Sequence, residues 1–259
     1  MYETVLFDLD GTLTDPGEGI TKSVAYALGK YGIGVADRAE LYKFIGPPLH
    51  ESFEIYYGFS AEQAKEAVEY YRKYYRETGI FENIVYPGIE DMLEALRNSG
   101  RTLAVATSKP EQFAKEILEH FHLAGYFEYV AGANMDGTRT KKDEVISYAL
   151  DALNAVKGAR PSSPKQPAGL GCNIGVQEGS MESALGNMGQ GGNSGLMLGS
   201  PTVIMVGDRE HDVLGAAKVG LNSIGVLYGY GSREELTAAG AVYLAGQPKD
   251  IVKFLMQQE

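Results

Sequence analysis

Asp8-Leu9-Asp10-Gly11-Thr12 closes a short apolar run, Thr4–Leu9 (TVLFDL). Residues i and i+2 of a strand share a face, so Asp8 and Asp10 point the same way where that strand ends. Two carboxylates this close repel unless a cation or a proton joins them. Alone, the pair reads as a solvated acidic turn. The strand before it and the Gly-Thr turn after it argue for more. A second acidic group, Gly207-Asp208-Arg209-Glu210-His211-Asp212, also follows an apolar run (TVIMV) and opens a helix. By itself Asp208 is an ordinary helix cap. In a parallel sheet, however, all strands end on one edge, where open α/β sheets bind ligands. Asp8, Asp10 and Asp208 then gather around one point, with Asp212 as a further candidate. Such a group of carboxylates, with no cysteine and no paired histidines, suits a hard cation such as Mg²⁺. His211 belongs on the helix surface, not among the ligands.

Two further groups stand at strand ends. Thr107-Ser108-Lys109-Pro110 offers hydroxyls and backbone N–H groups at a helix start, an arrangement that seats anions. Taken alone it is an N-cap. Lys141-Lys142 precedes a helix beginning near Asp143. A surface lysine pair is usually solvated, but a phosphate site in an acidic protein needs a nearby cation. Each motif is weak by itself. Together, at successive strand ends, they reinforce one another.

The elements that must position these groups follow from periodicity. Strands are expected at Thr4–Leu9, Thr102–Thr107, Tyr129–Ala131, Thr202–Val206, Asn222–Leu227 and Val242–Leu244. Helices are expected around Ile89–Leu96, Glu111–Phe121, Asp143–Leu153, Arg209–Val219 and Pro248–Met256. Such alternation argues for a doubly wound parallel sheet, a Rossmann-like α/β core, with helices on both faces. Between Asp15 and Glu82 no strand run occurs. Four helices fit there, broken near Gly32–Gly34, at Gly46-Pro47-Pro48 and at Gly58, so an inserted α-helical cap is expected. The division is then core 1–14 and 86–259, cap 15–85. Hinges are expected at Thr14–Gly17 and Asn83–Gly88.

The segment 157–200 breaks the rhythm. It holds 11 of the chain's 33 glycines, three prolines and five charged residues. Such composition buries too little apolar surface to offset the entropy of ordering. It reads as a flexible insertion within the core, with Met181–Met188 as its one helical turn. The insertion joins the helix after Lys142 to the Thr202 strand on the far edge of the sheet. It is therefore expected to be catalytically neutral, with Cys172 exposed and free.

The chain has 259 residues and a net charge of −11, from 23 basic and 34 acidic residues. Length fits one large or two modest domains. So acidic a surface disfavours nucleic acid and anionic membrane surfaces as partners. One cysteine excludes an internal disulfide framework. No apolar run approaches a membrane span, and MYETVLFDLDG lacks the basic-then-apolar order of a signal peptide. The expectation is a soluble, cytoplasmic protein.

The combined motifs DLDGTLTD (Asp8–Asp15), ATSK (Ala106–Lys109), the lysine before DEVI (Lys142) and VGDREHD (Val206–Asp212) resemble the haloacid dehalogenase superfamily. The resemblance covers nearly the whole chain outside 157–200 and points to phosphatases with a helical cap after the first strand. IGPPL (Ile45–Leu49) and GVLYGYGS (Gly225–Ser232) resemble the phosphoglycolate-phosphatase-like branch, which includes enzymes labelled 5′-nucleotidases. It implies that Asp8 is the nucleophile, forming an aspartyl-phosphate, and Asp10 the general acid and base. Thr107, Ser108 and Lys142 hold phosphoryl oxygens. Lys142 is preferred to Lys141 because it directly precedes Asp-Glu-Val-Ile, but the register could slip by one. Mg²⁺ is held by Asp8, Asp208 and the Asp10 backbone carbonyl, with Asp212 as ligand or as orienter through water. Lys43 and Lys109 are candidate substrate contacts, as is the Gly46–Leu49 turn. The nine tyrosines of the cap, Tyr70, Tyr71, Tyr74 and Tyr75 among them, are too crowded to be all contacts. The implied substrate is a small phosphorylated metabolite; oligomeric state is left open. A phosphosugar mutase shares every core residue. A phosphonatase would need a Schiff-base lysine, Lys22 or Lys43. A phosphoacceptor module without turnover, or a silent binding protein, is the alternative outside enzymology.

Overall fold

In β1 (Thr4–Phe7) every residue is buried, and side chains alternate between two apolar cores. Val5 and Phe7 enter one core, Leu6 the other. The strands beside it do the same. In β4 (Thr102–Pro110), Leu103 and Val105 oppose Ala104 and Ala106. In β6 (Val203–Gly207), Ile204 and Val206 oppose Val203 and Met205. A sheet apolar on both faces must be covered on both. Helices α4 (Ile89–Asn98), α5 (Glu111–His120) and α9 (Pro248–Met256) cover the first face; α6 (Lys142–Ala159) and α7 (Glu210–Lys218) cover the second. These are features of a computed structural model that describes residues 1–159 and 201–257.

The sheet has six parallel strands in the order β5-β4-β1-β6-β7-β8, with β5 at Tyr129–Ala133, β7 at Asn222–Val226 and β8 at Tyr243–Ala245. The chain steps outward from β1 on one side, returns, and steps outward on the other. The reversal falls between β1 and β6, where the two windings leave a crevice outside the strand ends. This is the doubly wound Rossmann-like fold expected from the alternation.

Between β1 and α4 lies the helical stretch: α1 (Gly17–Gly29), a 3₁₀ segment Arg38–Phe44, α2 (Leu49–Tyr57) and α3 (Ala61–Glu77). The breaks fall at the expected glycines and prolines. The second of the four expected helices is 3₁₀, started by Asp37, whose carboxylate accepts the Ala39 N–H at 2.9 Å. In α3, Ala64, Ala67, Val68, Tyr71 and Tyr75 are buried at helical spacing. Its start is a reciprocal cap between Ser60 and Gln63.

The two crossings at the expected hinges are not independent loops. They form a small antiparallel pair, β2 (Thr14–Asp15) with β3 (Ile84–Val85), and Asn83 donates to the Thr14 hydroxyl at 3.3 Å. Periodicity predicts neither strand, because two residues carry none. Nor does it predict helix α8 (Arg233–Ala239); Ser232, which accepts the Glu235 N–H at 3.1 Å, is its available mark. Helix α6 runs to Ala159, six residues beyond the expected Leu153 and into the expected insertion. The rest of that insertion, with Cys172 and Met181–Met188, lies outside the described residues.

Leu6 is fully buried on the central strand. Leu6→Ala should destabilise the protein by about 2–5 kcal/mol, read as a lower urea midpoint in equilibrium unfolding.

Candidate active site

The paired part of β1 stops at Phe7, two residues short of the expected Leu9, and the Asp8 N–H extends its ladder with one bond to the Val206 carbonyl at 2.9 Å. The chain then turns sharply, with the N–H groups of Thr12, Leu13 and Thr14 all donating to the Leu9 carbonyl. Leu9 itself is buried in the core. Gly11 takes φ +82°, and a Cβ there would stand 2.2 Å from Asp208 Oδ2. The turn after the first acidic pair thus lies directly on the second acidic group. On the neighbouring strand Gly207 makes the same kind of room: a Cβ there would fall 2.2 Å from the Asp212 carboxyl carbon.

Lys142 opens α6, and its stem passes over Gly215 of α7, where a Cβ would meet the Lys142 Cβ at 2.6 Å. Its ammonium lies 2.9 Å from Asp8 Oδ1 and 2.7 Å from Asp212 Oδ1, and donates to the Ala106 carbonyl at 3.1 Å. Burial works against this charge, but Asp212 and Asp8 outweigh it and hold the ammonium protonated above its ordinary range. Lys141 is exposed, so the structure brings the second lysine of the pair, not the first, to Asp8.

Asp8, Asp208 and Asp212 offer carboxylate oxygens that all lie within 4.8 Å of one another. All are buried. Asp208 Oδ2 accepts the Tyr230 N–H at 2.8 Å, while Oδ1 is buried without a hydrogen-bond partner among the described residues. Asp212 Oδ2 accepts the Arg209 N–H at 3.1 Å. Burial pushes the Asp208 carboxyl well above the usual range, and the charges of Asp212 and Asp8 push it further. Burial also raises Asp212, against the pull of Lys142. One lysine cannot neutralise this group. A cluster of hard oxygen donors, one of them unpartnered, fits a divalent cation. His211 is exposed.

Asp10 takes a different partner. Its Oδ2 lies 2.7 Å from the Lys109 ammonium, and its Oδ1 is buried without a hydrogen-bond partner among the described residues. Burial raises its carboxyl above the usual range, although Lys109 draws it down. Asp8, Asp10, Thr107, Ser108 and Lys109 line a cavity of about 480 Å³. Its opposite wall comes from the helical stretch, including Phe44, Gly46–Leu49, Val68, Tyr71, Arg72 and Tyr75. Of the tyrosines singled out by crowding, only Tyr71 and Tyr75 reach this wall. Lys43 is not among the lining residues; its ammonium stands over the rings of Tyr56 and Tyr57, at 4.6 and 5.5 Å. Lys22 pairs with Glu18 and Glu82. Two residues, Arg209 and Tyr230, make contacts that residue order does not announce. Arg209, beside Asp208, donates to the Ile45 carbonyl of the helical stretch at 2.8 Å and pairs with Glu235. Tyr230 donates its hydroxyl to Asp15 and packs on Tyr42.

Residues 5–159 match the family described as haloacid dehalogenase-like hydrolase, and residues 177–255 a second family described as HAD-hydrolase-like. The chain belongs to the haloacid dehalogenase-like hydrolases. The hydrolase is 44% identical over 237 residues to a 5′-nucleotidase of Pseudomonas aeruginosa, covering 92% of this chain and 88% of that one. It is 36% identical over 229 residues to the tyrosine-protein kinase PtkA of Mycobacterium tuberculosis, covering 88% of this chain and 63% of that one. Among solved structures, a predicted phosphatase from Clostridium acetobutylicum is 44% identical, with 99% of each chain covered and a TM-score of 0.81. Among the described residues of the hydrolase, no helix is long and apolar enough to cross a membrane.

Gly207→Ala in the hydrolase forces Asp212 aside. Titration calorimetry should show Mg²⁺ binding weakened by about tenfold or more in the folded variant.

Proposed function

We propose that the hydrolase cleaves small phosphate monoesters through an aspartyl-phosphate on Asp8, with Mg²⁺ as cofactor. The observation that carries this reading is the clustering of Asp8, Asp208 and Asp212 around one point, with Lys142 bonded to Asp8 and Asp10 alongside. The likeness to a 5′-nucleotidase and to a predicted phosphatase supports it.

Asp8 attacks phosphorus in line, and the bond to the leaving oxygen breaks. Asp10 gives that oxygen a proton as it departs. In the second step Asp10 takes a proton from the incoming water, which attacks the aspartyl-phosphate and restores Asp8. Lys142 and the hydroxyls of Thr107 and Ser108 hold the phosphoryl oxygens. Asp8, Asp208 and Asp212 would hold Mg²⁺, which supplies positive charge against the phosphoryl oxygens when bound. The apolar wall of Phe44, Pro47, Pro48, Leu49, Val68 and Tyr71 keeps water from the leaving group. We also propose that the stretch 15–85 acts as a cap over a core formed by the remainder. The cavity admits either a compact leaving group of the phosphoglycolate type or a nucleoside.

A panel of phosphomonoesters, assayed for free phosphate with and without Mg²⁺, tests the reading. Phosphate release should need the metal and stop on chelation. Asp8→Asn should lower kcat on the order of 10³-fold or more. Lys142→Ala should cost about 10²–10³-fold, the ~2.7–4 kcal/mol of one electrostatic donor. Turnover without free phosphate, with an isomerised or phosphorylated acceptor instead, would place the chain among phosphotransferases.

A further inference from the structure

Lys109 is a buried cation for which the steps above have no use. Its side chain is only 5% exposed. The ammonium bonds Asp10 Oδ2 at 2.7 Å and donates to the Tyr75 hydroxyl oxygen at 2.8 Å, 4.7 Å from the centroid of that ring. Tyr75 belongs to α3, in the helical stretch, while Lys109 and Asp10 belong to the sheet edge. The Tyr75 ring is 1% exposed. It stacks on Tyr71 at 5.4 Å and meets Phe113 of α5 edge-on at 5.5 Å. Clamped on both sides, its hydroxyl has one place to be.

The two oxygens of Asp10 are therefore unlike. Oδ2 is held by Lys109. Oδ1 is buried, has no hydrogen-bond partner among the described residues, and belongs to a residue that lines the cavity. We propose that Tyr75 and Lys109 are positioning residues for proton transfer: Tyr75 fixes the Lys109 ammonium, which holds Oδ2 and so aims Oδ1 at the leaving-group oxygen. The inference rests on the phosphatase reading above. In each turnover Oδ1 passes one proton to the leaving oxygen and recovers one from water, while Lys109 and Tyr75 gain and lose none. Because Tyr75 rides on α3, the acid is braced only while the helical stretch is seated on the sheet edge.

A proton donor matters for a poor leaving group and little for a good one. That separates positioning from packing. The test compares kcat/KM, which reports only steps up to leaving-group departure, for an alkyl phosphate and for p-nitrophenyl phosphate. Tyr75→Phe removes one oxygen and keeps the packed ring; Lys109→Met is the second variant, and Asp10→Asn the reference. Both variants should lose about tenfold or more with the alkyl ester and less than about threefold with the nitrophenyl ester, following the pattern of Asp10→Asn. Equal losses on both esters, or no loss on either, would overturn the positioning role. A wild-type protein that hydrolyses neither ester would overturn the phosphatase reading itself, and this inference with it.

Discussion

Four carboxylates are buried together at one sheet edge, and everything around them answers their mutual repulsion. Asp8, Asp10, Asp208 and Asp212 are all less than a tenth exposed. Removing one such charge from water costs several kcal/mol unless it is paired. Among the described residues two ammonium groups reach the cluster, Lys142 to Asp8 and Asp212, Lys109 to Asp10. Four carboxylates against two ammonium groups leave an excess, and it shows at Asp208 Oδ1 and Asp10 Oδ1, both buried without a hydrogen-bond partner among the described residues. A divalent cation removes that excess. On the phosphatase reading proposed above, the same charge would let the anionic Asp8 approach an anionic phosphoryl group, so that one electrostatic imbalance would bear on both stability and chemistry.

The sheet explains why the imbalance arises at this one place. Parallel strands share an edge, and β1, β4 and β6 are neighbours in the middle of it. Glycines then bring the acids closer than any other residue would allow. Gly11 leaves room for Asp208, Gly207 for Asp212 and Gly215 for Lys142. The edge is thus a product of backbone approach as much as of side-chain choice.

This arrangement is largely readable from residue order. Apolar runs followed by acids place Asp8, Asp10 and Asp208 at strand ends and Asp212 in the first turn of the helix that follows, and alternation of strand and helix implies the doubly wound sheet. The lysine register needs coordinates, because Lys141 and Lys142 differ by one position and only helix geometry turns the second inward. What periodicity misses is short or long-range. The β2–β3 pair has two residues in each strand. The 3₁₀ segment at Arg38–Phe44 shows the same apolar spacing as a helical turn. In the sequence Tyr75 is one tyrosine of a crowd; its contact with Lys109 spans 34 positions. Lys43 stands out by charge alone, and charge alone does not reveal that its ammonium settles over Tyr56 and Tyr57.

The helical stretch meets the sheet edge through residues that stand beside the carboxylates. Arg209 follows Asp208 in the chain and holds the Ile45 carbonyl, next to a turn where Gly46 takes φ +101° and a Cβ would stand 3.1 Å from the arginine's Cγ. Lys109 bonds Asp10 and is met from above by Tyr75. Each contact joins the helical wall to a different acid, one in the metal-type cluster and one outside it. A wall that only excluded water could rest anywhere on the rim. Resting on Arg209 and Lys109, it is seated on groups that themselves contact the acids, Arg209 through its N–H to Asp212 and Lys109 through its ammonium to Asp10. On the proposed reading, closing the cavity and completing the site would be the same event, which would keep the phosphoryl group away from bulk water.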